Sequence, residues 1–154
     1  MGNNYRQGIY EVINKSKYVG VKNPRYMSSW ELRVFEYFDR NPNVVEWGAE
    51  TVIVPYISQA DMCDQFPNGK PRRYLIDLYV KFRNRSGNIV KQLIEIKPFA
   101  QTQQPKPTRG KRKNTYLKEV YTYQVNTDKW IAAAKFAKDR KMLFRIITEK
   151  DIFK

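Results

Sequence analysis

Residues 73–97 read Arg73-Tyr-Leu-Ile-Asp-Leu-Tyr-Val-Lys-Phe-Arg83, then Asn84-Arg-Ser-Gly-Asn88, then Ile89-Val-Lys-Gln-Leu-Ile-Glu-Ile-Lys97. The first segment alternates with a period of two, as a strand does. Tyr74, Ile76, Leu78, Val80 and Phe82 share one face; Leu75, Asp77, Tyr79 and Lys81 share the other. Ser86-Gly87 marks a turn, and residues 89–97 return with Ile94 and Ile96 on one face and Leu93, Glu95 and Lys97 on the other. A hairpin closed by residues 84–88 sets Arg83 opposite Ile89, and the same register sets Asp77 opposite Glu95. Two acids directly opposed on one face destabilise a strand pair. A divalent cation, Lys97, or both must offset that repulsion. Carboxylate oxygens with a carbonyl and water suit Mg²⁺ or Mn²⁺.

Working outward, residues 29–40 are expected to form a helix. Ser28 stands at its N-cap, Glu31 at N3 of a capping box, and Asn41-Pro42 ends it. Glu31 shares a stripe with Val34, Phe35 and Phe38, so a third acid points inward, beside its local role at the N-cap. Short strands are expected at 44–47 and 51–55, a polar loop at 57–72, a helix over 116–140 broken near Asn126, and a last strand at 141–148. By position alone, Tyr121 and Gln124 on that helix line the cleft. The fold class is α/β (mixed α+β), a mixed sheet flanked by helices. Residues 1–27 read as an irregular N-terminal arm and 28–154 as one domain.

The charge has an address. The chain of 154 residues carries 29 Lys+Arg against 15 Asp+Glu, and residues 101–154 alone hold 14 basic and 5 acidic side chains. The densest run, 101–114, contains Lys106, Arg109, Lys111, Arg112 and Lys113 among Pro and Gly. That composition makes a loop, and its charge makes it a phosphate-binding arm. No apolar face accompanies the run, which argues against a membrane surface. The single Cys63 excludes a disulfide framework and fits a reducing cytosol. With no His, serine- and cysteine-type triads and His-bound zinc are excluded. Hydrolytic chemistry must then run on carboxylates, Lys, Tyr and oxygen-bound metal.

Two tripeptides, Gly8-Ile-Tyr10 and Tyr18-Val-Gly20, look like the opening of GIY-YIG nucleases. Their gap is short, and Glu50 would be a strained choice for that family's acid. The set Glu31, Asp77, Glu95-Ile-Lys97 instead resembles the PD-(D/E)xK nuclease superfamily. Further blocks agree: Ser28-Ser-Trp-Glu-Leu-Arg33, Asn41-Pro-Asn-Val-Val-Glu-Trp47, Val54-Pro-Tyr-Ile57, Leu93-Ile-Glu-Ile-Lys-Pro98, Val125-Asn-Thr-Asp-Lys-Trp130 and Phe144-Arg-Ile-Ile-Thr-Glu-Lys-Asp151. Within the superfamily they are similar to the head completion proteins of T-even-like tailed bacteriophages, relatives of the endonuclease subunit of heteromeric transposases. The likeness runs from about residue 5 to the C-terminus. One departure stands at Ile76, where the family motif usually has Pro.

The resemblance implies Mg²⁺ (or Mn²⁺) held by Asp77, Glu95 and the Ile96 carbonyl. Lys97 would orient or deprotonate the attacking water, and Glu31 would complete the shell. Arg72, Arg73 and the loop residues Lys106, Arg109, Lys111, Arg112 and Lys113 would follow the backbone of double-stranded DNA with little base preference. It further implies action on packaged DNA late in head assembly, with portal and neck proteins as partners. The expected location is the host cytoplasm during assembly, with retention in the virion head or neck left open. Two other readings stay open: a catalytically silent DNA-binding plug of the portal, and a transposase-type endonuclease subunit.

Overall fold

The first helix begins directly after Ser28, whose backbone is extended and whose hydroxyl accepts the Glu31 N–H at 3.2 Å. The helix α1 (Ser29–Arg40) ends as Asn41 returns to extended backbone ahead of Pro42, with the bounds expected from the sequence. In this computed structural model, which describes residues 6–153, eight strands and two further helices complete the fold. The strands are β1 (Gly8–Ile9), β2 (Arg25–Tyr26), β3 (Val44–Ala49), β4 (Ile53–Ser58), β5 (Lys70–Leu75), β6 (Leu78–Arg83), β7 (Ile89–Ile96) and β8 (Leu143–Ile147). The helices are α2 (Lys113–Asp139) and α3 (Glu149–Ile152).

The main sheet has the order β3-β6-β7-β8, antiparallel except for the parallel pair β7–β8. A parallel neighbour needs a crossover, and α2 supplies it. The β6–β7 register pairs Arg83 with Ile89 and Leu78 with Ile94, as the hairpin loop requires. The sheet is mixed and flanked by helices, in agreement with the fold class read from the sequence.

Residues 73–83 do not form one strand, however. The chain breaks at Ile76-Asp77, and β4 and β5 pair with each other in a separate two-stranded sheet. The break has a partner across the ribbon. Ala49 pairs with Leu78 and Ile53 with Leu75, so β3–β4 carries one extra residue opposite the break. Glu50, with φ of +53°, marks this bulge, and its N–H bonds the Asp77 carbonyl at 3.0 Å. Such bulges twist a ribbon and re-aim side chains. Tyr74 and Ile76 pack with Val54, Leu93 and α2 (Ala133, Ala137). Leu78 and Val80 pack with α1 and the fully buried Trp47. One run of alternating residues thus feeds two cores on opposite faces of the sheet. The same bulge moves the strand expected at 51–55 to Ile53–Ser58 and shortens the polar loop that follows.

The long helix is unbroken. The Thr127 hydroxyl donates to the Tyr123 carbonyl one turn back, so it does not cap a second segment. The helix also starts earlier than expected, taking Lys113 and Asn114 out of the basic loop. β8 is followed by α3, which Thr148 and Asp151 open as a reciprocal capping box.

Within the N-terminal segment, β1 pairs with β2, whereas Tyr18 bridges to Trp47. The two tripeptides therefore do not form the hairpin of a GIY-YIG nuclease. Tyr10 and Val12 enter the core around Trp47. Asp39, wholly buried, accepts the Tyr10 hydroxyl and the Ile13 and Asn14 amides at 2.7–3.0 Å. No helix among the described residues is long and apolar enough to cross a membrane.

Candidate active site

The site lies where β7 ends and β6 begins. Hydrogen-bonded pairs alternate along an antiparallel ladder, and Asn84 N–H to the Asn88 carbonyl fixes their phase here. Continuing that phase would hand the Ile96 N–H to residue 76. But Ile76 has already turned toward β4, its own N–H bonding the Val52 carbonyl. The Asp77 carboxylate takes the Ile96 N–H instead, at 2.9 Å. A residue's N–H and C=O leave an extended strand on the same side, so the Ile96 carbonyl points the same way. On the other side, Lys97 N–H bonds the Ile147 carbonyl of β8.

Glu95 is buried, and both of its oxygens are engaged. One accepts the Tyr74 hydroxyl; the other is 3.2 Å from Lys97 Nζ. Asp77 and Glu95 are near enough for the charge of one to act on the other. Burial, and then the neighbouring charge of Glu95, raise the Asp77 pKa well above the usual carboxylate range, against the pull of the Ile96 amide. Burial likewise pushes the Tyr74 phenol up, reinforced by the charge of Glu95.

Glu31 does not fold back onto its own cap. Its carboxylate accepts the Met27 N–H at 2.6 Å, one residue before the N-cap. Its pKa is raised by burial, partly offset by that amide, and then by the charges of Glu50 and Glu95. Glu31 therefore belongs to the acidic field of the site. Among the described residues no group of three or more His, Cys, Asp and Glu is gathered to hold a metal. The donor set is two carboxylates and a carbonyl, which fits a hard cation that retains several waters, as Mg²⁺ does. The repulsion visible in the raised Asp77 pKa is what such a cation relieves.

The DNA-binding candidates divide. Arg72 Nε is locked on the Asp61 carboxylate at 2.6 Å, which also accepts the Tyr121 and Ser58 hydroxyls. Those three bonds hold Asp61 down to about 2. Arg73 is exposed beside Lys70 and Lys129 along a groove of about 670 Å³. Lys111 is spent internally, bridging the Lys106 carbonyl and Glu119 at 2.8 and 2.7 Å. Lys106, Arg109, Arg112 and Lys113 remain exposed. Tyr121 ties α2 to Asp61, and Gln124 donates to Asp128 one turn along the same helix, so neither side chain is directed to the carboxylate pair.

Tyr74 is the site residue that strand periodicity hides. Alternation places it on the face opposite Asp77, as a plain core residue. Only the break at Ile76-Asp77 swings its hydroxyl to Glu95.

A mixed sheet between helices, with two acids and a lysine at the end of a parallel strand, defines an endonuclease core of the PD-(D/E)xK type. The chain belongs to the family described as TnsA-like endonuclease N terminal, whose model matches residues 41–149. It is also 43% identical over 140 residues to the Head completion nuclease of Enterobacteria phage T4, covering 88% of this chain and 86% of that protein. The kinship with a transposase endonuclease subunit and with phage head completion nucleases, expected from the sequence blocks, holds.

Proposed function

We propose that this chain is a Mg²⁺- or Mn²⁺-dependent DNA endonuclease that acts on packaged phage DNA at the portal vertex late in head assembly. The observation that carries the reading is the convergence of Asp77, Glu95 and Lys97 beside the Ile96 backbone. The name of the phage T4 relative supports a role in head completion; portal or neck proteins as partners, and the host cytoplasm as the place, belong to the proposal.

Asp77, Glu95 and the Ile96 carbonyl would hold the cation. When bound, Mg²⁺ neutralises charge at the scissile phosphate and lowers the pKa of water beside it. Lys97, held against Glu95, orients the attacking water and steadies negative charge developing on the phosphate oxygens. Glu31 adds negative potential that favours cation entry. Arg73 and the exposed loop residues Lys106, Arg109, Arg112 and Lys113 hold the DNA backbone. Arg72 and Lys111, already paired, fix the groove and the loop that present them.

The test is conversion of supercoiled plasmid to nicked and linear forms. It should proceed with Mg²⁺ or Mn²⁺ and stop with EDTA. A purified, folded chain that leaves plasmid intact with both ions would refute the endonuclease and favour the silent DNA-binding plug.

A further inference from the structure

The sheet face turned away from Asp77 and Glu95 carries a groove of about 890 Å³ between α1, the sheet and α3. Its floor is apolar: Phe82 of the sheet and Ile152 of α3, both half-buried, beside the buried core residues Val34 and Phe38 of α1 and Val80 and Ile94 of the sheet. Its rim holds four arginines, Arg33, Arg83, Arg85 and Arg145, against one carboxylate, Asp151. Arg145 reaches Asp151 at 3.4 Å. Arg33 stacks on Phe153, and Arg83 touches the Gly87 carbonyl. Arg33, Arg83 and Arg85 have no carboxylate partner among the described residues, and all four arginines are exposed.

This combination selects its occupant. Guanidinium forks match carboxylates bidentately, and an apolar floor of this size accepts aromatic or aliphatic side chains. Phosphodiester backbone would leave that floor unused. Arg83 and Arg85 also lie at the far end of β6, about 20 Å from Asp77 at the strand's rise per residue. A duplex lying on the exposed loop beside α2 would leave this face uncovered. A second copy of a chain of net charge +14 would bring more positive charge to the rim.

We propose that the groove docks an acidic segment of a partner protein, which seats an aromatic or aliphatic anchor on the floor between carboxylates held by the arginines. The probe is a short peptide of Glu and Asp around a central Phe-Leu pair, titrated into the isotope-labelled full chain. The NMR shifts should fall on Val80, Phe82, Ile94 and Arg145. A peptide of the same charge with Ser-Ser at its centre should bind about tenfold or more weakly. Arg85→Glu and Arg83→Glu should each weaken the Phe-Leu peptide about tenfold or more, with plasmid cleavage unchanged.

Four outcomes of the titration would overturn the proposal. They are equal binding of the Ser-Ser peptide, shifts on residues 106–113 in place of the groove, no shifts at all, or competition by a DNA duplex for the same residues. Loss of plasmid cleavage in the arginine variants would likewise reassign the groove to DNA. A dimer dissolved by Arg83→Glu would reassign it to a second copy. Because the peptide titration needs no catalysis, it reads independently of whether the endonuclease assignment stands.

Discussion

Asp77 completes the hydrogen-bond ladder of a strand the chain is about to enter: its carboxylate, not its backbone, satisfies the Ile96 amide at 2.9 Å. Burial, and then the charge of Glu95, raise the pKa of the same side chain. Structure and reactivity thus make different demands on one carboxylate, and two substitutions separate them. Asp77→Asn keeps an oxygen for the Ile96 N–H and removes the repulsion, so its thermal midpoint should equal or exceed that of the parent. Its plasmid cleavage should fall by about 10²-fold or more. Asp77→Ala should lose cleavage equally and also leave the Ile96 amide unpaired, costing about 1–3 kcal/mol. Chemical unfolding beside the plasmid assay checks both.

Lys97 contributes the only cation paired with Glu95 among the described residues. Lys97→Met keeps the aliphatic stem, which is largely enclosed, while removing the charge. Cleavage should drop by about 10²-fold or more, with duplex affinity changed far less, since a single charge already paired with Glu95 adds little to the many backbone contacts. A variant that loses binding and cleavage in parallel would place Lys97 among the backbone contacts instead.

Tyr74 acts through Glu95, as a positioning residue. Removing its hydroxyl in Tyr74→Phe leaves the ring in the core with Val54 and Leu93. The freed Glu95 oxygen loses its orientation. Outer-shell partners of this kind change metal affinity by about 10–100-fold. Mn²⁺ titration by calorimetry should show that loss, and cleavage should recover when the ion is raised in proportion. A purely structural role would lower the unfolding midpoint and leave the Mn²⁺ affinity where it was.

Much of this site is legible in the sequence because its logic is local. The loop 84–88 sets the hairpin register, and Ser28 with Asn41-Pro42 bounds α1, each within a few residues. The break at Ile76-Asp77 is not legible, because the residues on either side keep the same period of two. Their destinations differ only because of the bulge at Glu50, far away in sequence. Tyr74 is hidden for the same reason. Arg72 and Lys111 read as free cations because their partners, Asp61 and Glu119, are chosen by tertiary packing. The clamp on Asp39 joins residues 25 to 29 positions apart, beyond any local pattern.

The basic loop should contribute electrostatics without base preference. Each neutralised phosphate contact lowers the slope of log affinity against log salt by about 0.9. Replacing Arg109, Arg112 and Lys113 by Gln should therefore flatten that slope by about 2–3. Lys111→Gln should act differently: it breaks the tie to Glu119 and the Lys106 carbonyl, loosening the loop. Amide hydrogen exchange across residues 103–112 should rise in that variant and stay unchanged in the triple one.

Asp39 governs how the fold answers acid. Burial alone would raise its pKa, but the Tyr10 hydroxyl and the Ile13 and Asn14 amides outweigh burial and hold it below the ordinary value of 3.8. The folded state therefore gives up this proton at lower pH than the unfolded chain does. The resulting stabilisation is complete above the unfolded value and is lost as pH falls through the folded one. Asp39→Asn retains one acceptor but turns an amide donor toward N–H groups, and it should cost about 2–4 kcal/mol near neutral pH. Urea unfolding at pH 7, 5 and 3 should show parent and variant converging toward the acid end, because protonation removes from the parent what the substitution removes from the variant. A gap that stays constant with pH would mean that the shape of the side chain, not its charge, anchors the N-terminal segment to α1.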